Sequence, residues 1–192
     1  MAGVTAPSQF IKACWFGFII YWAVSALRQR AVAERVPWLE QLAHKLPVGL
    51  GAWMIFVPAW HYPWWGAQLP LPQPANEYLG AALCALGLAG AVWSRWTLAG
   101  NWSSNVTFKQ GHELVERGPY RFVRHPIYTS LLLMGLGTAL NAARVGAFAG
   151  VLLWFVGFWI KLKQEERLLT RHFPDEYPAY KTRVKALIPF LI

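Results

Sequence analysis

Long stretches of this chain carry no Asp, Glu, Lys or Arg. They are Ala13–Leu27, Leu46–Asn76, Tyr78–Ser94, His125–Ala143 and Val145–Ile160. A helix needs about 20 mainly apolar residues to cross the hydrocarbon of a bilayer. The runs meet that length when Lys12 and Arg95 are allowed at the rim, where a long aliphatic stem lies in lipid and the charge reaches water. Five spans follow, over about 10–27, 46–64, 76–95, 124–142 and 144–162. Soluble helices of this length show a polar face, and these stretches are apolar all round. Composition agrees, with 56% hydrophobic residues, 12 Trp and only 14% charged residues. So much apolar area excludes a disordered chain.

The cations fix an orientation. Segments 28–45, 95–124 and 161–192 hold 16 of the 18 Lys and Arg, leaving Lys12 and Arg144 for the other side. Cytoplasmic loops carry the excess of Lys and Arg. The expected topology therefore has the N-terminus outside and the C-terminus in the cytoplasm. The net charge of +9 then reads as topology and contact with membrane lipids, with no nucleic-acid partner. Arg28 and Arg30 follow the first run at once, which predicts an uncleaved span, not a signal peptide. Cys14 and Cys84 fall inside spans as small apolar fillers, and they offer neither a disulfide framework nor metal spacing.

The expected architecture is one all-α polytopic membrane domain over 1–192. Residues 1–95 supply three spans, and 96–192 form the half with a cytoplasmic cofactor pocket. Segment 28–45 predicts a short cytoplasmic helix broken at Pro37. Pro70 to Pro74 predicts an extended loop, since successive prolines forbid helix. Gly80, Cys84, Gly87 and the pair Gly146 and Gly150 predict close helix approaches. The fifth helix, unbroken from Val145 to Phe173, is longer than the bilayer needs. Its last turns should stand in the cytoplasm, with Glu165 and Glu166 together on one side between Leu162 and Leu169. Two readings are open for those acids: a solvated pair neutralised by Lys161, Lys163 or Arg167, or a buried pair that needs a partner.

The densest polar signal is His112-Glu-Leu-Val115, Arg117-Gly-Pro-Tyr120 and Arg124-His-Pro-Ile-Tyr128. Gly118-Pro119 marks a turn, and Pro126 suits the first position of a helix. Arg124 and His125 thus sit at the mouth of span four, where helix N–H groups favour an anion. The segment either encloses a polar cofactor or meets lipid head groups.

These blocks, with Glu165-Glu166, Phe173, Tyr177, Tyr180, Val184 and Pro189 at matching spacing, resemble the isoprenylcysteine carboxyl methyltransferases. The phospholipid methyltransferases are looser relatives. The resemblance runs from about Asn101 to the C-terminal end. Ser130 stands where the family often carries Gly, and Lys161 where its animal enzymes carry Arg. The resemblance implies S-adenosyl-L-methionine as methyl donor, with no metal. It implies cofactor contacts from His112, Glu113, Leu114, Val115, Tyr120, His125, Pro126, Ile127, Tyr128, Glu165 and Glu166. Lys161 and Arg124 would face the acceptor, a prenylcysteine-like carboxylate. The alternatives are N-methylation of a phospholipid or other lipid amine, an NADPH-dependent membrane reductase, and a non-enzymatic membrane partner.

Overall fold

The computed structural model describes residues 5–27, 30–57, 64–103, 105–111 and 113–191. Among them run six helices: α1 (Ala6–Ala26), α2 (Trp38–Phe56), α3 (Ala75–Leu98), α4 (Pro126–Ala142), α5 (Val145–His172) and α6 (Glu176–Arg183). Two short strands, β1 (Val32–Arg35) and β2 (Thr107–Lys109), pair antiparallel, with Val32 opposite Lys109 and Arg35 opposite Thr107. Three helical stretches are long and apolar enough to cross a membrane: α1, α3 with the turn that follows it to Asn101, and α5. α2 and α4 have 19 and 17 residues.

Four of the five expected spans coincide with helices to within a few residues. The second does not. The helix expected over 46–64 starts at Trp38, runs through Pro47 and ends at Phe56. Pro37 precedes this helix and does not break one, because a proline just before the first turn removes no helical hydrogen bond. The polar start of α2 is kept by burial: Gln41 donates to the Val36 carbonyl at 2.7 Å, and His44 meets Gln164 of α5 at 2.7 Å. At the far end Arg144 donates to the Ile55 and Val57 carbonyls at 3.3 and 3.2 Å. These last carbonyls of a helix have no partner within it. Residues 58–63, assigned to the span from the sequence, lie outside the described residues.

Two helix pairs dominate the packing, α3 with α4 and α2 with α5. Each closes through facing glycines. A Cβ on Gly51 would lie 2.6 Å from the Gly150 carbonyl oxygen, and one on Gly150 would lie 2.6 Å from that of Gly51. Gly80 and Gly137 meet in the same way across α3 and α4. Backbones this close exclude any side chain at the crossing. The expected small-residue contacts at Gly80, Gly87 and Gly150 are present, whereas Gly146 meets Trp65 and not a neighbouring helix. Cys14 and Cys84 are both buried in an apolar cluster with Ile11, Ala81 and Met134.

α5 runs 28 residues without a break, as the absence of proline predicts. Its C-terminal end packs against the β1–β2 pair: Arg171 and His172 reach Glu34 of β1 at 3.2 and 2.6 Å, and the His172 ring stacks on Phe108 of β2. The segment after α5 is more than a basic tail. It forms α6, buries Tyr177 and Tyr180, and returns beside residues 123–125.

Candidate active site

Pro126 begins α4 as its spacing predicts. The start of α4 is then locked by the returning C-terminal segment. The Arg124 N–H donates to the Lys185 carbonyl at 2.8 Å, the His125 N–H to Ala186 at 2.9 Å, and the Thr129 hydroxyl to Leu187 at 2.7 Å. The Tyr128 and Thr129 N–H groups both turn back to the His125 carbonyl. The N–H groups of Arg124, His125, Tyr128 and Thr129 are thus engaged within the chain.

The two acids of α5 part company. Consecutive helical residues point about 100° apart, so Glu165 and Glu166 do not share a side as expected. Glu166 turns inward, with its side chain 3% exposed. Its Oε1 accepts from Arg124 Nε at 2.9 Å and Nη2 at 2.6 Å, and His125 Nε2 lies 3.4 Å away. Lys181 of α6 reaches Oε2 at 3.1 Å. Burial alone would raise the Glu166 pKa. The hydrogen bonds and charges of His125 and Arg124 outweigh it and hold the carboxyl well below the usual carboxylate range. The reading in which Lys161, Lys163 or Arg167 neutralises the acids gives way to a pairing across α4 and α6. Arg124, expected at the acceptor, spends its guanidinium on Glu166 and on the Val184 carbonyl.

Glu165 faces a pocket and keeps 24% of its side chain exposed. The Tyr128 hydroxyl donates to its Oε1 at 2.6 Å, and His125 Nδ1 stands 3.6 Å from Oε2. The imidazole thus lies between the two carboxylates. It stacks on Tyr128, which stacks in turn on Phe158 at 5.0 Å, while Lys161 places its ammonium 5.4 Å from the Tyr128 ring centre.

Tyr120, Arg124, His125, Ile127, Tyr128 and Glu165 all line this pocket. Tyr120 is fixed from behind, where the Tyr180 hydroxyl donates to its carbonyl. Burial raises the Tyr120 phenol well above its ordinary range, and the Glu165 charge adds to the rise, so it stays a neutral donor. Pro126 is buried at the helix start and does not line the pocket. Glu113, Leu114 and Val115 line a separate depression, linked to the pocket where Asn101 donates to the Glu113 carbonyl at 3.4 Å. His112 lies outside the described residues.

The remaining wall comes from residues that no motif marked: Asn101, Trp102, Asn105, Phe108 and Leu168. Arg95, buried at the end of α3, holds this wall. It donates to the Ala99 and Ser25 carbonyls and lies over the Trp102 ring at 4.7 Å. The cavity measures about 120 Å³, against roughly 300–1,000 Å³ for ordinary small-molecule sites. A nucleoside-sized ligand therefore has to extend beyond this enclosed volume. Among the described residues no cluster of His, Cys, Asp or Glu suits a metal ion.

A family model described as phospholipid methyltransferase matches residues 75–176, from the start of α3 to the start of α6. The chain belongs to this family. Its similarity extends to curated members. The protein-S-isoprenylcysteine O-methyltransferase of Saccharomyces cerevisiae is 33% identical over 118 residues, covering 59% of this chain and 48% of the relative. The nickel-cobalt-cadmium resistance protein NccN of Alcaligenes xylosoxydans xylosoxydans is 29% identical over 119 residues, covering 60% of this chain and 54% of that one. The structure of the eukaryotic intramembrane Ras methyltransferase ICMT shares the fold, with a TM-score of 0.58 at 22% identity over 77% of this chain and 52% of that one. This chain thus spans about half the length of the relatives it matches. The likeness to isoprenylcysteine carboxyl methyltransferases, read from the motif blocks, is borne out at the level of family and fold.

Proposed function

We propose that this protein is a membrane methyltransferase that uses S-adenosyl-L-methionine and acts on a lipophilic acceptor, with a prenylcysteine-like carboxylate as the acceptor class. The observation that carries this reading is Glu165: a carboxylate aimed into a half-enclosed pocket, oriented by Tyr128 and His125, and left partly exposed. S-adenosyl-L-methionine, when bound, supplies an electrophilic methyl on a sulfonium centre. Glu165 is suited to its ammonium or ribose hydroxyls through charge-assisted hydrogen bonds. Tyr120, Tyr128, Ile127 and Leu168 supply flat and apolar walls. The family resemblance adds His112, Glu113, Leu114 and Val115, and Asn101 ties that segment to the pocket. Glu166 serves from behind, by fixing Arg124 and His125.

The arrangement favours a carboxylate acceptor. Such an anion is a competent nucleophile near neutral pH, whereas an amine must first lose a proton to a base. His125, the nearest candidate base, has one ring nitrogen toward each carboxylate of α5. Lys161, one turn before Glu165 and over the Tyr128 ring, supplies a cation for the acceptor anion. The chain's remaining task is alignment and exclusion of water. The charge-bearing groups of the reaction lose charge together, so an apolar enclosure helps. In this reading α1 to α5 all span the bilayer, the N-terminus lies outside, and the pocket opens on the cytoplasmic side where most cations fall.

Calorimetry tests the cofactor. S-adenosylhomocysteine should bind with NADPH inert, and the reverse result would favour a reductase. Transfer of a radiolabelled methyl to farnesylcysteine derivatives, and not to phosphatidylethanolamine, would support the acceptor class. Labelling of the lipid amine alone would replace it with N-methylation. Cofactor binding without transfer to any acceptor would leave only the binding function.

A further inference from the structure

The pocket occupies one side of the outer part of α5. Another side carries a separate groove of about 1060 Å³, between the start of α2 and α5, with Lys181 of α6 also in its wall. It shares no lining residue with the pocket. Along α5 the wall repeats every fourth residue: Trp159, Lys163, Arg167 and Arg171. That spacing places all four on one helical face. The series is graded in polarity. Trp159 belongs to the charge-free run that ends at Ile160, and the three cations follow outward turn by turn. The Lys163 ammonium lies 4.8 Å from the Trp159 ring centre.

The acids beside this face do not cancel it. Four cations line the groove, against the lining carboxylates Glu40 and Glu166 and the neighbouring Glu34, so the cations still exceed the acids by one. Arg167 meets Glu40 at 3.6 Å and Arg171 meets Glu34 at 3.2 Å, with both guanidinium side chains about two-thirds exposed. Exposed pairs of this kind are weak, so either guanidinium can exchange its partner for a stronger anion. Glu166 is already shared among Arg124, His125 and Lys181.

We infer that this groove binds one anionic phospholipid. Its phosphate rests on Lys163 and Arg167, and its acyl chain lies along Trp159 and Ile160. The order of the residues carries the assignment. An aromatic at the edge of the apolar run, followed outward by a lysine and two arginines, matches the depth order of acyl chain and then phosphate. Aromatic belts and juxtamembrane cations hold lipids by these same forces. A zwitterionic lipid brings its own cation to a face that is already positive, and free phosphate gains nothing from Trp159. The inference is independent of methyl transfer.

Native mass spectrometry of the full chain, released from nanodiscs of equal phosphatidylglycerol and phosphatidylcholine, tests it. One phosphatidylglycerol adduct should persist. The combined variant Lys163→Gln, Arg167→Gln, Arg171→Gln should lower the retained fraction about tenfold or more. A charge-matched control, Arg121→Gln, Arg183→Gln, Lys185→Gln, should retain it. Equal adducts of both lipids, equal loss in both variants, or displacement by glycerol phosphate as readily as by whole lipid would each overturn the inference. Should the triple variant not fold, the single exposed change Arg167→Glu reads the same adduct. Unchanged retention there would overturn the inference as well.

Discussion

The first helix and the region around residue 124 are held by different balances of apolar and directed contact. α1 buries only Pro7, Ile11 and Cys14, and leaves Phe16 66% and Ile19 60% exposed. It stays in place by apolar and edge-on ring contacts, Trp15 against Phe56 and Trp154, and by a few scattered hydrogen bonds, Ser8 to Asn141, Trp15 to Thr138 and Arg95 to the Ser25 carbonyl. Around Arg124 nearly every contact is a charge or a directed hydrogen bond, and the partners come from three helices and the returning segment. Apolar contact is satisfied by many side chains of similar size, whereas a buried ion pair tolerates almost none. The polar region should therefore be sensitive to atoms, and the apolar region only to shape.

Arg124→Ala should have the largest effect. It leaves Glu166 buried with fewer partners and should cost roughly 3–5 kcal/mol, seen as an unfolding midpoint lowered in detergent. An undiminished midpoint would remove the contrast. Glu165→Gln, one residue from the buried acid, should separate binding from folding. S-adenosylhomocysteine affinity should fall tenfold to a hundredfold, from the loss of about 1.5–3 kcal/mol of charged hydrogen bonding, while the midpoint barely moves. Gly80→Val tests shape on the apolar side. Its Cβ would meet the α4 backbone at Gly137, and about 1–3 kcal/mol should be lost by overpacking.

A smaller effect should appear only in acid. The folded pKa of Glu166 lies below its ordinary 4.5. The stability it contributes is present above that ordinary value and is lost as pH falls toward the folded one. Unfolding midpoints followed below pH 4.5 should thus decline less steeply in Glu166→Gln than in the unchanged chain. Least of all, Phe16→Ala on the lipid-facing side of α1 should stay within about 0.5 kcal/mol. A larger loss would show that α1 has a partner that its exposure does not reveal.

The same contrast governs what the sequence made legible. Charge-free runs located four of the six helices, because lipid-facing surface demands a composition that is visible without partners. Pro126 and the uninterrupted run after Val145 fixed two helix starts. The start of α2 was misread because Pro37 and Pro47 look alike in a string; only burial of Gln41 and His44 against the neighbouring chain segments shows which one the helix passes through. Glu165 and Glu166 were recognisable as important, but not their division of labour. On the helix alone Lys163 and Arg167 are as near to them as any cation, and Arg124 is 42 residues away. The wall residues Asn101, Trp102, Asn105 and Phe108 carry no pattern at all, since their side chains acquire a role only once Arg95 and the β1–β2 pair set them against the pocket.

The helix pairs described above imply where the molecule yields. Two-helix units whose backbones touch at facing glycines behave as stiff bodies. The cleft residues are split between them, with Tyr128 and His125 on one unit and Glu165 on the other. Rocking of one unit against the other would widen the cleft without disturbing either glycine crossing. The polar contacts that bridge the joint, Arg124 to Glu166 and Tyr128 to Glu165, then set how far that motion can go.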